Sequence, residues 1–113
     1  MKANDFENFM ESFYDKAKEI SKAKSQDYAK SEDVLSNIKA ISSYGISPSV
    51  GLISRMQDKM SRLANFTKTG VFNVKDETVE DTLIDLANYC CLFAAYLHDE
   101  NPQANDLFIT DVA

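Results

Sequence analysis

Apolar residues recur every three or four positions over most of this chain, which is the spacing of one face of an α-helix. The pattern predicts four helices, at about residues 4–29, 31–44, 48–67 and 77–98. Gly45 should end the second helix in a left-handed conformation, and Ser47 and Pro48 should begin the third as its cap and first residue. Ser31 should cap the second helix, with Asp33 in its first turn, and Asp76 should cap the fourth. Because the helical period persists almost throughout, the predicted fold class is all-α.

The last predicted helix carries two different stripes along its length. Its core-facing stripe is predicted to consist of Val79, Leu83, Leu86, Cys90, Phe93 and Leu97. The second stripe is polar and consists of Glu77, Asp81, Asp85 and Asn88. After Asp85 the helix is apolar nearly all round, which is typical of a buried helix. An unpaired buried charge is costly, so Asp85 should have a partner, which is either a metal ion or a basic side chain.

The third predicted helix presents bases that could face those acids. Its core stripe is predicted to be Leu52, Ile53, Met56, Met60 and Leu63. Beside it lie Arg55, Lys59 and Arg62, one helical turn apart, with Asp58 at the edge of the same surface. A short loop joins the third and fourth helices, so they should be antiparallel neighbours. The bases then either form salt bridges with the acids or hold phosphate oxygens beside a carboxylate-bound Mg²⁺ ion.

Composition narrows the classes of function. A chain of 113 residues predicts one domain, over residues 1–100, with 101–113 as a flexible or partner-docking tail. The net charge of −6 argues against stable binding to nucleic acid. Adjacent Cys90 and Cys91 are predicted to be small buried hydrophobes. No stretch is apolar for long enough to cross a bilayer, and we expect a cytoplasmic protein.

Three segments carry a resemblance to a known family. They are K-x-x-D-Y at Lys24, Asp27 and Tyr28, then R-M-x-D-K-x-x-R from Arg55 to Arg62, then D-E-T-V-E-D-T-L-I-D-L-A-N-Y from Asp76 to Tyr89. Together they resemble a small phage and prophage family called nucleotide modification associated domain 1. That family is similar to the all-α NTP pyrophosphohydrolases of the MazG type. The resemblance covers about residues 16 to 98.

The resemblance implies a MazG-like four-helix unit, completed by assembly into a dimer or tetramer. It also implies cleavage of a (deoxy)nucleoside triphosphate to monophosphate and pyrophosphate with Mg²⁺. Asp81 and Asp85 would be catalytic, and the metal ligands would come from Asp58, Glu77, Asp81 and Asp85. The nucleotide would be held by Lys24, Asp27, Tyr28, Asn37, Arg55, Lys59, Arg62 and Asn88.

The third helix departs from the pattern of these enzymes, and this keeps other functions open. It offers only Asp58 where the enzymes place three glutamates, and it adds three bases. Fewer acids and more bases favour phosphate binding over chemistry with several metal ions. One alternative is a protein that sequesters an intact nucleotide, such as a signal used in host defence. Another is a helical interaction protein whose acids and bases pair with each other and which has no ligand.

Overall fold

A computed structural model describes the backbone of residues 1–28 and 33–103 and the side chains of 1–24 and 33–103. Its elements are α1 (Ala3–Tyr28), α2 (Ser36–Lys39), a 3₁₀ turn (Ala40–Tyr44), α3 (Pro48–Thr69) and α4 (Val79–Glu100). Strands are absent from these described residues, so the all-α prediction is confirmed. The predicted tail falls mostly on residues 104–113, which lie outside the description.

The predicted helix boundaries are close to the observed ones at Gly45 and Ser47. Gly45 has a φ of 78° and ends the 3₁₀ turn, while the Ser47 hydroxyl accepts a hydrogen bond from Ser49 N at 3.2 Å. The second helix begins only at Ser36; its predicted cap, Ser31, lies outside the described residues. Asp33 precedes this helix instead of lying in its first turn, and its carboxylate accepts a hydrogen bond from Leu35 N at 2.9 Å.

The start of α4 corrects the prediction that Asp76 caps it. The cap is Thr78, whose hydroxyl accepts from Asp81 N at 3.1 Å while the Asp81 carboxylate accepts from Thr78 N at 2.9 Å. This reciprocal capping box satisfies two backbone donors at the helix start. Asp76 has a φ of 60° and belongs to the preceding turn.

The core lies where α2 and α3 pack against the second half of α4. Leu35, Ile38 and Leu52 are buried there, and four partly buried side chains of α4 cover them: Tyr89, Leu92, Phe93 and Tyr96. Earlier in α4, Thr82 and Ile84 are fully buried.

Several side chains predicted to be in the core are exposed. On α4 these are Leu83, 42% exposed, and both cysteines, which are free thiols. On α3, Ile53 and Met60 are about half exposed. After Asp85 the fourth helix is apolar on almost every side, so the sequence there does not distinguish the buried face from the exposed one.

No helix within the described residues is long and apolar enough to cross a membrane.

Candidate functional site

A cavity of about 340 Å³ lies between α1, α2, α3 and α4. Its polar wall is formed by Ser21, Lys24, Asn37, Arg55, Asp85 and Asn88. Its apolar wall includes Ile38, Tyr89 and Leu92, which also belong to the core. The cavity therefore has an apolar side and a side rich in charged and amide groups, which is the usual composition of a small-molecule site.

Asp85 is the ionic centre of this cavity. Its side chain is only 15% exposed, and it forms ion pairs with Lys24 through Oδ1 and with Lys59 through Oδ2, both at 3.1 Å. The two lysines belong to α1 and α3, so one carboxylate of α4 links three helices. The prediction that Asp85 has a partner is confirmed, and both partners here are basic side chains. Because Lys59 is only 12% exposed, its pair with Asp85 is poorly screened by solvent.

Arg55 is the cavity-lining cation that has no ionic partner among the described side chains. Among residues 1–24 and 33–103, its guanidinium has no carboxylate within ion-pairing distance, although it lines the cavity beside Asp85. A guanidinium offers five N–H donors in a planar fork that matches phosphate oxygens. The described part of the site thus holds Arg55, Lys24 and Lys59 around the single carboxylate of Asp85.

Amide groups complete the polar wall. Asn88 Nδ2 donates to the backbone oxygen of Ala17 at 3.0 Å, which fixes the position of α1 against α4. Asn37 projects from α2, and α2 is held in turn by Lys39. The Lys39 ammonium contacts Asp33 at 3.0 Å and Asp99 at 2.7 Å.

These contacts shift the pKa values of Lys39 and Asp33. Hydrogen bonds to Asp99 and then to Asp33 raise the pKa of Lys39 above its ordinary value. The Leu35 backbone N–H and the Lys39 ammonium lower the pKa of Asp33. Both shifts favour the charged forms, so the ion pair between Lys39 and Asp33 persists near neutral pH.

The four predicted metal ligands lie in separate interactions. Asp81 belongs to the capping box, where hydrogen bonds from the Thr78 backbone and side chain lower the pKa of its carboxyl. Glu77 accepts from Arg62 at 3.2 Å and from the Thr82 hydroxyl at 3.3 Å. Asp58 pairs with Arg62 at 3.1 Å, and Asp85 is held by its two lysines.

Within the described side chains, no three acids, histidines or cysteines are close enough together to hold a metal ion. Each of the four carboxylates here has hydrogen-bonding or ionic partners of its own, so the described side chains do not favour one shared Mg²⁺ centre. That Asp58, Glu77, Asp81 and Asp85 hold Mg²⁺ stays a prediction. The two predicted catalytic residues take part in different interactions, Asp81 at the start of α4 and Asp85 at the cavity.

The structure brings together part of the predicted nucleotide site. Lys24, Asn37, Arg55 and Asn88 line the cavity, and Lys59 reaches it through Asp85. Arg62 belongs instead to the network with Asp58 and Glu77, and it does not line the cavity. The side chains of Asp27 and Tyr28 lie outside the described ones.

Five residues that line the cavity were missed by the sequence analysis: Ser21, Val34, Ile38, Tyr89 and Leu92. Tyr89 lies one turn after Asp85, and Ser21 lies one turn before Lys24. Helical spacing from those two charged residues would have identified both, because positions three and four apart share a helix face.

Comparison with protein-family models, with curated proteins and with solved structures gives no match for this chain. The resemblance to the MazG-type proteins and their phage relatives therefore stays a prediction.

Proposed function

We propose that this protein binds a nucleotide, or a closely related phosphorylated small molecule, in the cavity around Asp85 and holds it intact. The observation that carries the proposal is Arg55, a cavity-lining cation without an acid partner among the described residues. Lys24 and Lys59 stand close by, on the two oxygens of Asp85. The resemblance of residues 16 to 98 to nucleotide-handling proteins supports the same class of ligand.

The other side of the cavity suits the base and sugar of a nucleotide. Tyr89 offers an aromatic ring, Leu92 an apolar surface, and Asn37 and Asn88 offer amides that can hydrogen-bond to a base edge. The volume, about 340 Å³, is near the lower end of the range for pockets that bury small ligands. Binding through one local group of bases is compatible with the net charge of −6, which disfavours nucleic acid as the partner.

We favour binding without cleavage because Asp81 and Asp85 already have hydrogen-bonding or ionic partners. Hydrolysis by a metal-activated water needs carboxylates free to ligate the ion. Here Asp85 is neutralised by two lysines, and Asp81 is engaged at the start of α4. Cleavage of a (deoxy)nucleoside triphosphate remains the enzymatic alternative that the resemblance implies.

The ligand-free alternative also draws support from the contacts. It predicts salt bridges between the bases of α3 and the acids at 77, 81 and 85. Lys59 pairs with Asp85 on α4, and Arg62 pairs with Glu77 just before α4 begins. Those pairs leave Arg55 and the open cavity unexplained, and this favours a ligand. The two exposed free thiols suit a reducing compartment, so the proposal places the protein in the cytoplasm.

A pooled nucleotide incubation tests the three functions together. Purified protein is mixed with linear and cyclic nucleotides and Mg²⁺, then separated from free ligand, and both fractions are chromatographed. We expect one nucleotide to be retained and released unchanged on denaturation. The appearance of monophosphate and pyrophosphate in solution would contradict intact binding and identify the protein as a hydrolase. Complete recovery of every nucleotide in the free fraction would favour the ligand-free protein.

We also propose that two copies of this chain associate through α1. The first turns of α1 expose Phe6, Phe9 and Met10, at 54%, 49% and 40%. Three neighbouring apolar side chains on one helix are more than the scattered exposure usual on a monomer.

Charge along α1 favours a second copy as the occupant of this face. Residues 2–15 contain four acids and one lysine, whereas residues 16–24 contain four lysines and one acid. Antiparallel pairing of two α1 helices about a twofold axis would place each acidic half against a basic half. A dimer is thus the assembly that the described residues support best.

A further inference from the structure

We propose that Asp85 acts as a built-in competitor of the ligand's phosphate. In the free protein its carboxylate would occupy the lysines that a bound phosphate needs, and ligand binding would release at least one of them. The inference rests on the proposed function and gives Asp85 a role opposite to that of a metal ligand or a ligand-binding group. Removing its charge should strengthen anion binding.

The geometry of the ion pairs carries the first step. Asp85 uses a different oxygen for each lysine, Oδ1 for Lys24 and Oδ2 for Lys59, with both distances at 3.1 Å. The carboxylate therefore bridges two ammonium groups from two helices. A phosphate group is also a compact anion with several acceptor oxygens, and it can bridge the same two donors.

The burial of the two lysines differs and predicts which one is exchanged. The Lys24 side chain is 53% exposed, whereas that of Lys59 is 12% exposed. An exposed pair is screened by water and contributes little, while a shielded charge that loses its partner is penalised strongly. Lys24 should therefore leave Asp85 for the ligand, and Lys59 should keep an anionic partner throughout.

Arg55 supplies the first contact in this sequence of events. It lines the same cavity and needs to break no ion pair within the described structure before it binds a phosphate. A phosphate held by Arg55 then lies among the groups that include Lys24, and it competes with Asp85 for that ammonium. The competition lowers affinity for weakly charged anions and selects ligands with enough charge to displace the carboxylate.

Titration calorimetry with inorganic pyrophosphate, in buffer containing EDTA, tests the competition directly. Asp85→Asn should bind pyrophosphate about two- to fivefold more tightly than wild type, the range expected when the one exposed ion pair, with Lys24, need no longer be broken. Glu80→Gln is the matched control, because it removes one negative charge from an exposed position on the same helix. Its affinity should stay at the wild-type value.

A measurement on the wild-type protein covers the case in which Asp85→Asn does not fold. The side-chain carboxyl ¹³C signal of Asp85 should move when pyrophosphate is added, while that of Asp76, in the turn before α4, stays in place. Binding by wild type together with weaker or equal binding by Asp85→Asn, or with an unmoved Asp85 signal, overturns the competitor role alone. If neither protein binds pyrophosphate or any nucleotide of the pool, the proposed function fails and the inference fails with it.

Discussion

Replacing Arg55 with methionine should weaken nucleotide binding about tenfold or more, since a charge-assisted hydrogen bond contributes about 1.5–3 kcal/mol. Methionine keeps much of the aliphatic length of arginine and removes the guanidinium. The loss should appear in calorimetry as a higher dissociation constant with little change in the unfolding midpoint, because Arg55 holds no other described charge in place.

Arg62→Met is the matched control for this change. Arg55 and Arg62 are the chain's two arginines, both lie on α3, and Arg62 pairs with Asp58 and Glu77 away from the cavity. We expect Arg62→Met to lower the free energy of unfolding by about 1 kcal/mol and to leave affinity unchanged. The reverse result, with binding lost in Arg62→Met and kept in Arg55→Met, would move the site to the Arg62 network.

Changing Phe6 to glutamate should convert the proposed dimer to a monomer. Burying a phenylalanine side chain in an interface contributes about 2 kcal/mol, and glutamate removes that gain, so dimer dissociation should rise about thirtyfold. Sedimentation velocity over a range of protein concentrations measures the effect.

Val71→Glu is the control variant for the Phe6→Glu experiment. Val71 is an exposed apolar residue in the loop after α3, so the same charge is introduced far from α1 in the sequence. This variant should sediment as wild type does. A wild-type protein that stays monomeric at high concentration would refute the dimer while leaving the cavity proposal intact.

The sequence predicted the helices well where single residues have strong conformational preferences. Gly45 and Ser47 marked the boundary between the 3₁₀ turn and α3, because a left-handed residue and a hydroxyl cap each stabilise a helix end. The long apolar period located α4 to within two residues. Asp commonly caps helices, which favours Asp76 as the cap of α4. Only Thr78, however, has Asp81 three residues later to complete a capping box.

The sequence predicted the types of residue in the candidate site better than it predicted which side chains form ion pairs with each other. The sequence predicts a partner for Asp85 because this residue lies where the helix becomes apolar nearly all round. Lys59 is among the bases predicted to pair with it. The second partner, Lys24, comes from α1, and pairing between distant helices depends on tertiary packing that spacing along one helix does not encode. The same limit explains why acids one turn apart, Glu77, Asp81 and Asp85, were assigned to one centre although each has a different neighbour.

The most direct test of the central claim locates the ligand by NMR. The side-chain amide signals of Asn37 and Asn88 report on the cavity, and those of Gln57 and Asn65, on exposed positions of α3, report on surface outside its lining. Adding the nucleotide retained from the pool should shift the first pair in a saturable way and leave the second pair in place. Shifts confined to Gln57 or Asn65, with Asn37 and Asn88 unmoved at saturation, would contradict a binding site in this cavity.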